Sequence, residues 1–151
     1  MDSFRYVQLL LKYRPRSEYE IRSRLKIRGY EDEEIKEVIN KFKKLDLIDD
    51  FNFAKFWINF RVSHNPKSMF YIEMELKKKG LSDEIIKKTF EEFKNIDEKD
   101  LAFRLIEKKV RNLGKVKDPL VKERRLYAYL QRRGFKYGLI KELMQDCFRN
   151  N

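Results

Sequence analysis

One short pattern is written three times along this chain: a helix ending in cations, a glycine, an aromatic residue or leucine, then a second helix led by isoleucine. The copies end in Lys26-Ile27-Arg28-Gly29-Tyr30, Lys77-Lys78-Lys79-Gly80-Leu81 and Gln131-Arg132-Arg133-Gly134-Phe135. Eight residues before each glycine stands Ile21, Ile72 or Leu126. Four before stands Leu25, Leu76 or Leu130, and six after stands Ile35, Ile86 or Ile140. The glycines lie 51 and then 54 residues apart. A period of that size marks tandem supersecondary modules, each too small to be stable alone and each leaning on its neighbour. The 151 residues then divide into three repeats, 1–48, 49–96 and 97–151.

Local signals make each repeat a set of three helices. In the first, Phe4 to Tyr13 carries an i, i+3, i+4 stripe of Val7, Leu10 and Leu11 that Arg14-Pro15 ends. Ser17 with Glu20 forms a capping box that starts a helix from Glu18 to Arg28, and Gly29 stops it in the left-handed conformation. A third helix from Asp32 to Leu45 opens on Asp32, Glu33 and Glu34 and closes on Lys41, Lys43 and Lys44, in accord with the helix dipole. The second repeat follows suit, with Asp49 or Asp50, Ser68 and Ser82 as caps and Gly80 as a stop. In the third, Asp97 and Asp118-Pro119 open helices, and Gly114 and Gly134 end them. Nothing alternates with period two for long enough to form a strand. The expected fold is therefore all-α: three tandem three-helix repeats in an elongated, curved array, right-handed or solenoid-like.

Charge points to the class of partner. Charged residues make up 40% of the chain, well above an average protein, and the formal net charge is +11. Its distribution is uneven, at +3, +1 and +7 over the three repeats. An excess of this size favours a polyanion through counterion release and long-range steering. The cations concentrate at Arg22, Arg24, Lys26 and Arg28, at Lys77, Lys78 and Lys79, and at Arg124, Arg125, Arg132 and Arg133. Cations in a last helical turn also offset exposed carbonyls, so these clusters admit two compatible readings, as helix-end charges or as a ladder that follows a polyanion. Consecutive Phe70 and Tyr71, just after a cap, cannot both face a core, which makes them candidates for contact with a partner.

Catalysis has little to work with. His64 is the only histidine and lies in Ser63-His64-Asn65-Pro66, where a helix end accounts for it; the only cysteine, Cys147, falls on an apolar stripe seven residues after Ile140. No zinc-spaced Cys/His set and no glycine-rich phosphate loop is present, so no catalytic residue, metal or cofactor is expected. Nor does any apolar run reach the length of a membrane span, and Met1-Asp2-Ser3-Phe4-Arg5 lacks the layout of a secretion signal. A cytoplasmic monomer is the expectation. Helix–turn–helix reading of the DNA major groove is disfavoured, because the helices after Gly29 and Gly80 open on Glu31-Asp32-Glu33-Glu34 and Ser82-Asp83-Glu84, which phosphates repel; only Lys136-Tyr137-Gly138 escapes that objection.

Three segments in this order resemble the RecX family of regulators of the RecA recombinase. They are Ser17-x3-Ile21-Arg22-x2-Leu25-x2-Arg28-Gly29-Tyr30 leading to Leu47-Ile48-Asp49-Asp50, then Phe53-Ala54 with Arg61 and Ile72-x2-Glu75-Leu76-x2-Lys79-Gly80, and finally Arg125-Leu126-Tyr127-x2-Leu130-x-Arg132-Arg133-Gly134-Phe135-x-Tyr137-x2-Ile140. The resemblance implies a non-enzymatic protein that lies in the groove of the RecA filament on single-stranded DNA and lowers its ATP hydrolysis, strand exchange and co-protease activity. The alternative is a sequence-tolerant binder of free DNA; a small nuclease has only scattered carboxylates in its favour. Where the family tends to have a charged pair, this chain has Phe51-Asn52, and where it often has glycine with basic residues, this chain has Ser68-Met69-Phe70-Tyr71. That shifts the expected electrostatic contacts to the first and third repeats, at Arg22, Arg24, Arg28, Arg124, Arg125, Arg132 and Arg133.

Overall fold

The computed structural model describes residues 1–148. Among them the regular structure is helix alone: α1 (Ser3–Tyr13), α2 (Glu18–Ile27), α3 (Asp32–Lys44), α4 (Asp50–Ser63), α5 (Met69–Lys78), α6 (Asp83–Glu92), α7 (Glu98–Asn112), α8 (Pro119–Arg132) and α9 (Tyr137–Phe148). They fall into three trios, α1–α3, α4–α6 and α7–α9. The chain forms two compact units, one of Met1–Ile58 with Met74–Lys94 and one of Asn59–Glu73 with Asn95–Asn151, so the middle trio contributes residues to both.

The starts of the helices follow their caps. Asp2, Ser82, Asp97 and Asp118 each accept a backbone N–H from the first turn that follows, and Ser17 with Glu20 closes the reciprocal capping box. Asp49, rather than Asp50, caps α4, accepting from the N–H groups of Phe51 at 3.0 Å and Asn52 at 3.1 Å. The middle helix of each trio ends the same way. Gly29, Gly80 and Gly134 take φ of +89°, +81° and +90°. In each turn the glycine N–H returns to the carbonyl three back and the next residue's N–H to the carbonyl five back, as in Tyr30 N–H to Leu25 O at 3.2 Å, Leu81 N–H to Leu76 O at 3.2 Å and Phe135 N–H to Leu130 O at 3.2 Å. These are three Schellman turns, and their positive φ is what reserves the position for glycine.

Burial follows the repeat. Ile21, Leu25, Ile35, Ile72, Leu76, Leu126, Leu130 and Ile140 are wholly buried, and Ile86 nearly so. In the first unit Tyr6, Val7 and Leu10 of α1 pack with Val38, Ile39 and Phe42 of α3 around Ile21 and Leu25. In the second, Leu101, Ala102 and Leu105 of α7 pack with Leu143 and Met144 of α9 around Leu126 and Leu130. One wholly buried isoleucine or leucine is worth roughly 1.5–3 kcal/mol, so the nine positions read from the glycine spacing carry a large part of the folding drive.

The glycine turns also join one trio to the next. Tyr19 of the first trio lies so close over Gly80 that an added Cβ would stand 2.3 Å from the tyrosine Cβ. Ser17, wholly buried, donates its hydroxyl to Lys79 O at 2.7 Å, just before that glycine. The second trio repeats the device on the third. Tyr71 covers Gly134, where a Cβ would meet the tyrosine Cδ1 at 2.4 Å and Ser68 Oγ at 2.5 Å, and Ser68 N–H donates to Arg133 O at 3.0 Å. A carboxylate completes each joint: Asp50 accepts from Glu18 N–H at 2.9 Å, and Glu98 from Met69 N–H at 2.7 Å. Each acceptor belongs to the first helix of the following trio, so the start of every middle helix but the last is capped by its successor.

The two ends of the series differ accordingly. Gly29 belongs to the first of these trios, and a Cβ there would meet nothing within 4 Å. In the last trio Lys122 occupies the position of the docking serines, four before Leu126, because α8 starts a turn earlier, with Pro119 in its first turn needing no acceptor. The glycine series therefore separates conformation from docking. Gly29→Ala should lower stability by about 1–2 kcal/mol, the cost of a left-handed alanine, while Gly80→Ala and Gly134→Ala should each lose about 2–5 kcal/mol through the added collision. Chemical denaturation of the three variants measures the difference.

Candidate nucleic-acid interface

The basic clusters read from the sequence fall into two kinds of place. Arg24, Lys26 and Arg28 stand exposed in the last turns of α2, with the Arg28 guanidinium 4.5 Å over the Tyr6 ring. Arg22, half-buried, faces Glu18 at 3.7 Å. Lys77 and Lys78 are exposed at the end of α5, and Arg124, Arg125 and Arg132 along α8. Among the described residues, Arg24, Lys26, Lys78, Arg124, Arg125 and Arg132 make no ion pair with another described residue, so their charge stays available to an outside anion.

Lys79 and Arg133, the residues just before Gly80 and Gly134, occupy the joints instead. The Lys79 ammonium sits 4.4 Å over the Trp57 ring and 3.8 Å from Glu20. Burial pushes the Glu20 carboxyl up, but its hydrogen bond to Arg14 and the charges of Arg14 and Lys79 outweigh burial and hold it below the usual carboxylate range. Arg133 bonds to Asn65 Oδ1, reaches Pro66 O at 3.5 Å and lies 4.5 Å over the Tyr129 ring. Both cations are half-buried and engaged within the protein. Phe70 and Tyr71 divide as their adjacency requires: Tyr71 turns onto Gly134, and Phe70 is 56% exposed.

Sequence reasoning counts Lys108 and Arg111 among the extra cations of the last third, but not the basic groove they form with Arg104 in the second unit. Arg104, Lys108 and Arg111, at i, i+4 and i+7 on α7, face His64, Asn65 and Pro66 across a hollow of about 560 Å³. Glu107 also lines it, and Arg104 is 3.4 Å from Asp100, so three guanidinium or ammonium groups meet two carboxylates with a histidine beside them. Helical spacing of the three cations was the signal available; what the sequence lacked was the return of the α4–α5 turn against that face. His64 ends α4, its N–H bonded to Phe60 O at 2.8 Å and its ring stacked on Phe60 at 5.3 Å, as the helix-end reading expected. The first unit offers the opposite polarity: a hollow of about 340 Å³ there is lined by Glu18, Asp46, Asp49 and Asp50 with Lys43. The lining of the α7 groove is net positive and that of the first-unit hollow net negative.

Among the described residues no group of three or more His, Cys, Asp or Glu side chains is placed to hold a metal ion. Cys147 is half-buried, and burial, followed by the charge of Asp146, raises its thiol above the ordinary value, which disfavours the nucleophilic thiolate. No helix among the described residues is long and apolar enough to cross a membrane.

Comparison with known proteins gives the arrangement a family. Models of the first, second and third three-helix domains of RecX match residues 6–42, 49–89 and 97–144 in that order. The chain is 33% identical over 135 residues to the regulatory protein RecX of Mycobacterium avium, covering 89% of this chain and 78% of that one. It is 29% identical over 140 residues to the regulatory protein RecX of Amycolatopsis mediterranei, covering 93% and 79%. The crystal structure of RecX from Lactobacillus salivarius superposes with a TM-score of 0.72 at 25% identity, over 95% of this chain and 93% of that one. With all three trios matched in sequence order and the likeness carried through most of its length, the chain belongs to the RecX family of three-domain helical regulatory proteins.

Proposed function

We propose that this protein is a negative regulator of the RecA recombinase, acting in the cytoplasm by occupying the groove of the RecA filament on single-stranded DNA and so restraining ATP hydrolysis, strand exchange and co-protease activity. The observation that carries the reading is the match of all three trios to a regulatory family, joined to exposed cations on the middle helix of every trio. A ligand that binds by surface charge and shape needs no reactive group, and this chain presents charge without a metal-holding cluster among its described residues. Arg24, Lys26, Arg28, Lys77, Lys78, Arg124, Arg125 and Arg132 are the exposed side chains that meet the filament's DNA or its acidic protein surface. Arg22, Lys79 and Arg133 act one step back, by holding helices and joints, and Phe70 offers an apolar contact to the recombinase. The protein does this as a monomer and without a cofactor.

The mechanism follows from linkage. A protein that binds the assembled filament more tightly than it binds free protomers stabilises that state by mass action and slows every step that requires the filament to rearrange. Turnover of ATP and exchange of strands both require such rearrangement, so one bound ligand depresses several activities together.

Two measurements test this reading. DNA-stimulated ATP hydrolysis by the recombinase, followed with a slight molar excess of this protein, should fall severalfold; an unchanged rate contradicts it. Reversing charge at Arg124, Arg125 and Arg132 together should weaken binding to the preformed filament and make the log–log salt dependence shallower by about one for each phosphate the variant no longer neutralises. Tight binding to naked DNA with no preference for the filament would instead favour a free DNA-binding protein, which the α7 groove with Arg104, Lys108 and Arg111 supports.

A further inference from the structure

We infer that the third trio carries a stacking site for an unpaired nucleobase, built on Tyr137, through which the chain itself grips single-stranded DNA; this deepens the filament reading above. Tyr137 is the first residue of α9 and is 63% exposed, so most of the side chain is open to a partner. It is also held. The half-buried Tyr127 of α8 meets it in an edge-to-face contact at 6.1 Å between centroids, and the Lys141 ammonium stands 6.0 Å from its ring, one turn along α9. An aromatic ring braced on one side and open on the other loses little conformational freedom when a flat partner settles on it.

The surroundings specify what that partner is. Beside Tyr127, the face of α8 made by Leu120, Glu123 and Arg124 encloses a hollow of about 300 Å³. Leu120 is 67% exposed and gives this hollow an apolar side, while Arg124 is an exposed cation without an ion pair among the described residues. Exposed Lys136 precedes Tyr137 directly, so the elements of the site carry three cations: Lys141 beside the ring, Lys136 next to it in the chain, and Arg124 in the hollow with Glu123. Flat apolar surface with cations on the same elements is the chemistry of a base with its flanking phosphates. A duplex conceals the faces of its bases in the stack, so the site distinguishes single strands from double strands without reading sequence. On α2 and α5 the exposed aromatics are differently placed: Tyr19 is turned over Gly80, and Phe70 leans on Tyr71, which is itself drawn onto Gly134.

Binding of the intact protein to fluorescein-labelled oligo-dT and to a duplex of equal length, followed by anisotropy without recombinase, tests the site. Tyr137→Ala should weaken oligo-dT binding by about fivefold to a hundredfold, the usual effect of removing one stacked base, and leave duplex binding unchanged, while Tyr137→Phe binds as the parent does. In a Trp57→Phe background, Tyr137→Trp should show fluorescence quenched on adding oligo-dT. Equal binding of oligo-dT by Tyr137→Ala and the parent, or a Tyr137→Trp signal indifferent to saturating oligo-dT, would overturn the site, as would an equal loss on single and double strands. Since recombinase is absent, such a failure leaves the filament reading untouched, and a failure of the ATP hydrolysis test leaves this result standing.

Discussion

The fold depends on a missing side chain. Gly80 and Gly134 do two things that only glycine permits: each turns the chain through positive φ, and each leaves a space that the preceding trio's tyrosine fills. The first is a local requirement that Gly29 shares; the second is tertiary, and Gly29, with nothing against it, lacks it. Around that space the same polar groups assemble twice. A buried serine at the start of a middle helix bonds to the carbonyl ahead of the glycine, and a carboxylate from the following trio accepts the next N–H. Burial pushes the Asp50 carboxyl up even as it accepts that bond, an expense that the capped helix start offsets. Modules of about 50 residues have little core of their own, so joints of this kind are what make the series stable.

The joints also determine which cations are left for a partner. A positive residue precedes each of the three glycines, and dipole arguments treat the three alike. Only Arg28, at the turn with no neighbour, is exposed; Lys79 and Arg133 are drawn into aromatic and polar contacts within the protein. The available charge is therefore displaced from the turns themselves to the exposed faces of α2, α5 and α8. The electropositive balance of the last third of the sequence becomes two surfaces of the second unit: the α7 groove and the aromatic hollow beside α8.

Much of this was legible beforehand, for identifiable reasons. Buried isoleucines and leucines at fixed distances from the glycines report a helical period that every repeat must obey, and Ser17 with Glu20 is a capping box by spacing alone. Helix limits follow within a residue or two, as with Glu18–Ile27 against the expected Glu18 to Arg28. The joints were not legible, because Ser17 and Ser68 look like ordinary caps and the glycines like ordinary stops. The pairing of Tyr19 with Gly80 spans 61 residues, and no local propensity records it. A trace exists nonetheless: a tyrosine follows the docking serine by two or three residues in the first two repeats, while the third has Lys122 at the serine position and arginines beyond it. Gly114 illustrates the converse, since it stands just past α7 without entering the positive-φ region its type suggests.

Amide hydrogen exchange reads the joints most directly, through the two N–H groups whose acceptors belong to the following trio. In the native protein Glu18 and Met69 should exchange as slowly as core helical amides, although first-turn amides ordinarily exchange fast. Gly80→Ala should release Glu18 alone, and Gly134→Ala should release Met69 alone. Rapid exchange of both amides in the unaltered protein would contradict the claim that the glycine turns hold the trios together.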